Sequence, residues 1–187
     1  MKTDHEPHGI NTGPGEVRLE RLLPGPVERI WAYLTDGEKR ARWLAAGSTE
    51  EWVGGKVVLR FRHADLSPEK DPPPKFAAYK DGHTMEGTVT RCEPNRVLSY
   101  TWGDANEDSE VIFELEPRGA EVLLVVTQRR LRSRAGMANV AAGWHVHLGI
   151  LIDHLAGREP RGFWSNHARL EADYTDRLST AQPQEMR

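Results

Sequence analysis

Cysteine is almost missing from this chain: Cys92 is the only one among 187 residues. That excludes an internal disulfide and any multi-cysteine zinc or iron–sulfur site. Long apolar runs are missing too, since a stretch such as Val122 to Val126 falls far short of the ~20 residues that span a bilayer. The opening MKTDHEPHGINTGPGE holds no apolar signal core, so a cytoplasmic location is expected, with no membrane association. Neither sign of charge dominates: 25 basic against 28 acidic residues leave a net −3. No nucleic-acid footprint follows from that balance. There is no G-x-S-x-G elbow, no G-x-G-x-x-G after a strand and no phosphate loop, so neither an activated serine nor a bound cofactor is expected.

What is present fits one globular domain with short extensions, large enough to hide roughly 70% of its unfolded surface. Residues 1–14 are polar and aperiodic and read as a mobile N-terminal arm. From Val17 to Leu23, Val17, Leu19, Arg21 and Leu23 alternate with Arg18, Glu20 and Leu22 as a strand requires. Pro24-Gly25-Pro26 ends it and opens a helix carrying Val27, Ile30, Trp31 and Leu34 at helical spacing. A second short helix is expected from Gly37 to Trp43, with Asp36 as its N-cap.

Strand patterns then dominate. Thr49 to Val53 and Lys56 to His63 flank Gly54-Gly55, a tight-turn dipeptide. Met85 to Glu93, Arg96 to Trp102, Ser109 to Glu116 and Glu121 to Gln128 follow, joined by turns at Pro94-Asn95, Gly103-Asp104 and Pro117-Arg118-Gly119. Short turns between successive strands predict an antiparallel meander. One connection, Ala64 to Asp81, is long and carries Pro72-Pro73-Pro74; it reads either as a surface insertion or as a binding element. Arg134 to Gly157 predicts one long helix with Met137, Val140, Ala141, Trp144, Leu148, Leu151 and Leu155 on a single stripe. Residues 158–187 form a C-terminal extension, weakly amphipathic and partly helical from Phe163 to Leu178.

The order predicts an α+β fold: a curved antiparallel sheet of about seven strands, two short helices after the first strand, and one long terminal helix across the dry face. Four segments carry a family resemblance: PGPVERIWAYLTD (Pro24 to Asp36), RWL (Arg42 to Leu44), EGTVTRCEPNRVLSYTW (Glu86 to Trp102) and GWHVHLGILIDHLAG (Gly143 to Gly157). Together they resemble the SRPBCC (START-like, Bet v-like) superfamily, and within it the branch named for the activator of heat-shock-protein-90 ATPase homologue. The resemblance implies a helix-grip domain over residues 15–157. It implies binding rather than a particular reaction, because the superfamily hosts binders, cyclases and co-chaperone domains on one scaffold.

A curved sheet around one helix closes poorly at one end, and such cavities are default ligand sites. The lining expected from facing is Phe61, Met85, Tyr100, Trp102, Phe113, Trp144, His147, Leu148 and Leu151, suited to a small hydrophobic or amphipathic molecule. Alternation leaves open whether Met85 or Glu86 faces inward. No metal site is expected. His145 and His147 stand about 200° apart on a helix, and His147 and His154 are separated by ~10 Å along it. Glu86, Arg91 and Tyr100 are the one candidate acid/base set for a cofactor-independent cyclase or lyase. Arg129, Arg130, Arg132 and Arg134 form a basic patch that would receive an acidic partner or an anionic headgroup. A protein partner or a homodimer is the alternative use of the outer surface.

Overall fold

The computed structural model describes residues 7–103 and 109–180. In chain order the elements are β1 (Ile10–Gly13), β2 (Glu16–Pro24), α1 (Val27–Thr35), α2 (Gly37–Arg40), β3 (Lys56–Phe61), β4 (His83–Glu93), β5 (Val97–Trp102), β6 (Ser109–Arg118), β7 (Glu121–Arg129), α3 (Arg134–Leu155) and α4 (Phe163–Thr180). Two 3-10 turns, His63–Asp65 and Pro74–Tyr79, interrupt the long connection between β3 and β4. The seven strands form one antiparallel sheet in the order β1-β2-β7-β6-β5-β4-β3. This is the expected helix-grip architecture.

Alternation explains the inner face. Val17, Leu19, Arg21 and Leu23 of β2 are all buried, as are Val111, Phe113 and Leu115 of β6. Central β7, flanked on both sides, is buried from Val122 through Gln128. α3 starts at Ser133, whose hydroxyl accepts from the Gly136 N–H, an ordinary side-chain N-cap. Its expected stripe meets the sheet at Trp144 and Phe113, with ring centroids 5.5 Å apart.

The count of seven strands is reached by a different route from the one expected. Thr49 to Val53 makes a single bridge, Thr49 to Val57, instead of a strand. The chain curls before Gly54, whose φ is +90°, and the Gly55 N–H reaches back to the Trp52 carbonyl, so no ladder can extend there. The seventh strand is β1, inside the expected mobile arm. It is tied down by contacts that local periodicity does not encode: the Gly9 N–H donates to the Tyr174 hydroxyl at 2.6 Å and Arg21 donates to the Pro7 carbonyl at 3.0 Å. Residues 1–6 of that arm, and Asp104 of the expected Gly103-Asp104 turn, lie outside the described residues.

α4 packs on the back of α3 rather than trailing from the domain. Its Phe163, Trp164, His167, Leu170 and Tyr174 are buried. Asp153 anchors the α3–α4 connection by accepting from Arg158 at 2.9 Å and Arg161 at 2.8 Å. Covered by the sheet on one side and α4 on the other, α3 is apolar around most of its circumference. Its length and composition would allow a membrane span, yet 67% of its most apolar window is buried within the fold. It is a core helix.

Candidate functional site

A cleft of about 670 Å³ opens between the sheet and the N-terminal half of α3. Strand residues Phe61, His83, Met85 and Trp102 form one wall; Val140, Gly143, Trp144 and His147 of α3 form the second. The long connection contributes His63, Phe76 and Tyr79, and the start of α4 contributes Phe163, Trp164 and His167. The rim carries Arg130, Leu131, Arg132 and Ser133 at the β7–α3 junction.

Five of the nine expected lining residues, Phe61, Met85, Trp102, Trp144 and His147, meet on this cleft. Met85 is buried while Glu86 points outward to pair with Lys56 at 2.8 Å, which settles the facing of that strand. Tyr100, Phe113, Leu148 and Leu151 are not on its wall. They share the inward face but lie deeper, fully buried in the packed core, with Tyr100 pushed up to about 12 by burial. Glu86, Arg91 and Tyr100 do not converge. Arg91 is exposed and bonded to Glu93 on its own strand, while Tyr100 faces the opposite side. Cys92 is half-buried, and burial raises its pKa, which disfavours the thiolate.

The basic patch is divided. Arg129 binds Glu110 at 2.5 Å and Arg130 approaches the same carboxylate at 3.4 Å, so much of their charge is committed inside the sheet. Arg130 and Arg132 reach the cleft rim; Arg134 does not.

Aromatic contacts knit the walls together. Trp102 and Trp144 have centroids 5.1 Å apart, Phe61 stacks on His83 at 4.7 Å, and Phe76 stacks on Trp164 at 5.4 Å. A polar relay sets the floor: the Trp144 indole donates to the Gln128 side-chain oxygen at 2.7 Å, the Gln128 amide donates to Ser109 at 3.2 Å, and Ser109 donates to the Trp102 carbonyl at 2.5 Å. The Pro-rich connection is held against α4 from outside. Ser67 accepts from the Phe163 N–H at 3.1 Å, Glu69 accepts from the Ser165 N–H at 2.9 Å, and Lys75 pairs with Glu171. These bonds satisfy N–H groups at the start of α4 that have no partner inside the helix.

Histidine is the main surprise. His63, His83, His147 and His167 all line the cleft, although they arise from four separate segments. Burial pushes His147 down to about 3, with the neighbouring His63 adding to the shift; burial, then His83 and His167, holds His63 at about 4. Such rings are neutral at physiological pH and weak as bases. Among the described residues, no three His, Cys, Asp or Glu side chains are placed to hold a metal ion. The lining residues that sequence facing missed include His83 on β4 and Val140 and Gly143 on α3, and a larger group on the long connection and the tail. The signals available for that group were the length of the Pro-rich loop and the Phe163-Trp164 pair.

No match was found among curated proteins. Among solved structures, a Bordetella parapertussis protein, encoded by gene BPP1335 and solved by solution NMR, is 46% identical with a TM-score of 0.78, the match covering 91% of this chain and 90% of that one. CalU16 from Micromonospora echinospora is 21% identical, with a TM-score of 0.63 and 91% of each chain covered. The Aha1 dimer from Colwellia psychrerythraea is 20% identical, with a TM-score of 0.57 over 75% of this chain and 95% of that one. The last two share the fold alone. Residues 24–156 match the Activator of Hsp90 ATPase homolog 1-like protein family. On that match, the chain belongs to the Activator of Hsp90 ATPase homolog 1-like family.

Proposed function

We propose that this protein binds a small apolar or amphipathic molecule, in the cytoplasm, within the cleft bounded by the sheet, α3, the Pro-rich connection and α4. The observation that carries the reading is the wall itself. Rings from four parts of the chain surround about 670 Å³ of space, with Ser109, Gln128 and Asn139 among them and Arg130 and Arg132 at the rim. Protein interiors are otherwise close-packed, and a cleft walled by aromatic rings with placed polar groups is a usual form of small-molecule site. Catalysis is disfavoured because burial holds His63 and His147 well below the usual histidine range, leaving them weak bases, and because no carboxylate lines the cleft among the described residues.

A thermal-shift panel of fatty acids and ring compounds tests this reading. Binders should raise the melting temperature and quench tryptophan emission together, since Trp102, Trp144 and Trp164 line the cleft. A panel with no effect on either readout overturns it.

A second reading is a protein-docking module, as the family's name implies. Its specific support is the pair Trp52 and Val53, which are 58% and 67% exposed on the turn before β3. Purified Hsp90 retained by the protein, and lost from a Trp52→Ser/Val53→Ser variant, would favour this use of the outer surface.

A further inference from the structure

His147 is anchored on one side of its ring only. Its Nδ1 lies 2.7 Å from the main-chain oxygen of Trp43. A carbonyl oxygen accepts and never donates, so Nδ1 carries the proton and Nε2 carries the lone pair. The anchor is itself fixed: Trp43 is fully buried, and its indole N–H donates to the Tyr33 carbonyl at 2.9 Å. Only 6% of His147 is exposed, and that remainder lies on the cleft. The rings around it are Phe163 at 4.9 Å, His63 at 5.7 Å and Trp144 at 6.4 Å. Among the described residues no hydrogen bond reaches Nε2. Nε2 keeps a little accessible surface on the cleft. A ligand that covers it without donating strips it of solvent at a cost, so a ligand that carries a donor is favoured over one that does not.

We propose that His147 Nε2 is the acceptor that selects the ligand, a neutral ring-bearing molecule that turns a hydroxyl or N–H donor toward it between Trp144 and Phe163. The inference deepens the ligand-binding reading and rests on it. A carboxylate at this point would set oxygen lone pairs against a nitrogen lone pair with no proton between them. Burial keeps the ring from protonating to relieve that conflict. A methyl ether would fill the same space and leave Nε2 unpartnered.

Calorimetric titration of the full chain with β-naphthol and with its methyl ether separates these cases, since the rings are identical and only the donor differs. The phenol should bind roughly tenfold more tightly, the usual weight of one such hydrogen bond. That advantage should vanish in His147→Phe. Nitrogen-15 spectra of the wild-type imidazole supply a check that needs no variant: Nε2 should show the pyridine-type signal and lose that character when β-naphthol binds. A protonated Nε2 in the free protein overturns the proposal. Equal affinity for phenol and ether also overturns it, while leaving the ligand-binding reading intact. Failure of both compounds to bind overturns the two together.

Discussion

The indole N–H of Trp144 donates to the side-chain oxygen of Gln128 across 2.7 Å, joining α3 to β7 behind the cleft floor. The bond turns a large aromatic ring into a wall of fixed orientation, because Gln128 is in turn held by Ser109. Gln128→Leu keeps most of the volume, strands the indole N–H and removes the donor to Ser109, which keeps its bond to the Trp102 carbonyl. It should cost about 1–3 kcal/mol, read from urea unfolding. An unchanged midpoint would mean that the relay does not hold the floor.

Arg40 does comparable work at the other end of the inner face. It is fully buried, and its guanidinium donates to the carbonyls of Ala45, Leu34 and Val58 at 3.1, 3.3 and 3.2 Å, and to the Thr49 hydroxyl. The planar fork serves several acceptors at once, which a lysine ammonium cannot reproduce. Arg40→Lys should therefore lose on the order of 2 kcal/mol despite keeping the charge. A loss below about 0.5 kcal/mol, within the range of ordinary surface changes, would contradict this account.

Ser67 acts as a cap supplied from a distant part of the chain. Ser67→Ala removes the acceptor for the Phe163 N–H and should destabilise the start of α4 by about 1 kcal/mol. Hydrogen exchange should quicken at residues 163–166 and along the Pro-rich connection together, because the two hold each other. Faster exchange in α4 alone would show that the connection is fastened independently.

Acid should weaken the fold well above the carboxylate range. His63 is held at about 4, and His145 and His147 at about 3, chiefly by burial. In the unfolded chain each titrates near ~6.5, so below that pH the unfolded state binds protons the folded state refuses. Stability therefore falls as pH drops from ~6.5 toward each folded value, by up to about 1.4 kcal/mol per pH unit per histidine. Asp153, whose pKa the Arg161 and Arg158 hydrogen bonds depress against the opposing effect of burial, contributes only at lower pH. The unfolding free energy read from denaturant titrations should drop between about pH 6.5 and 5.5, by on the order of 3 kcal/mol for three such groups. A flat profile over that interval would show that these rings are not kept neutral.

Much of the fold was legible because its long elements are periodic. The alternation at Val17, Leu19, Arg21 and Leu23 and the stripe ending at Leu155 each state which side is covered. β1 was hidden because the four residues Ile10–Gly13 are too few and too mixed to show an alternation, and its stability comes from Tyr174 and Arg21 far along the chain. The cleft was legible in part for a related reason. Period reports which way a side chain faces but not how far along the sheet it sits. Tyr100 and Phe113 therefore looked equivalent to Trp102, although only Trp102 stands at the open end. His63, His83 and His167 belong to no shared pattern, and only the fold of the Pro-rich connection and α4 brings them together.

Gly143 offers the most direct test of the central claim. It lies on the cleft wall in mid-helix, and a side chain built there meets nothing within 4 Å. Gly143→Leu should fill the cleft while improving helix propensity by roughly 0.5–1 kcal/mol. Native mass spectrometry of wild type and variant, purified side by side and then denatured to release small molecules, reads the result. The account predicts a retained small molecule, or a ring compound taken up from a panel, in the wild type, and its loss from a variant that melts no lower. Equal occupancy of both proteins would contradict it, as would a wild type that carries nothing and accepts nothing.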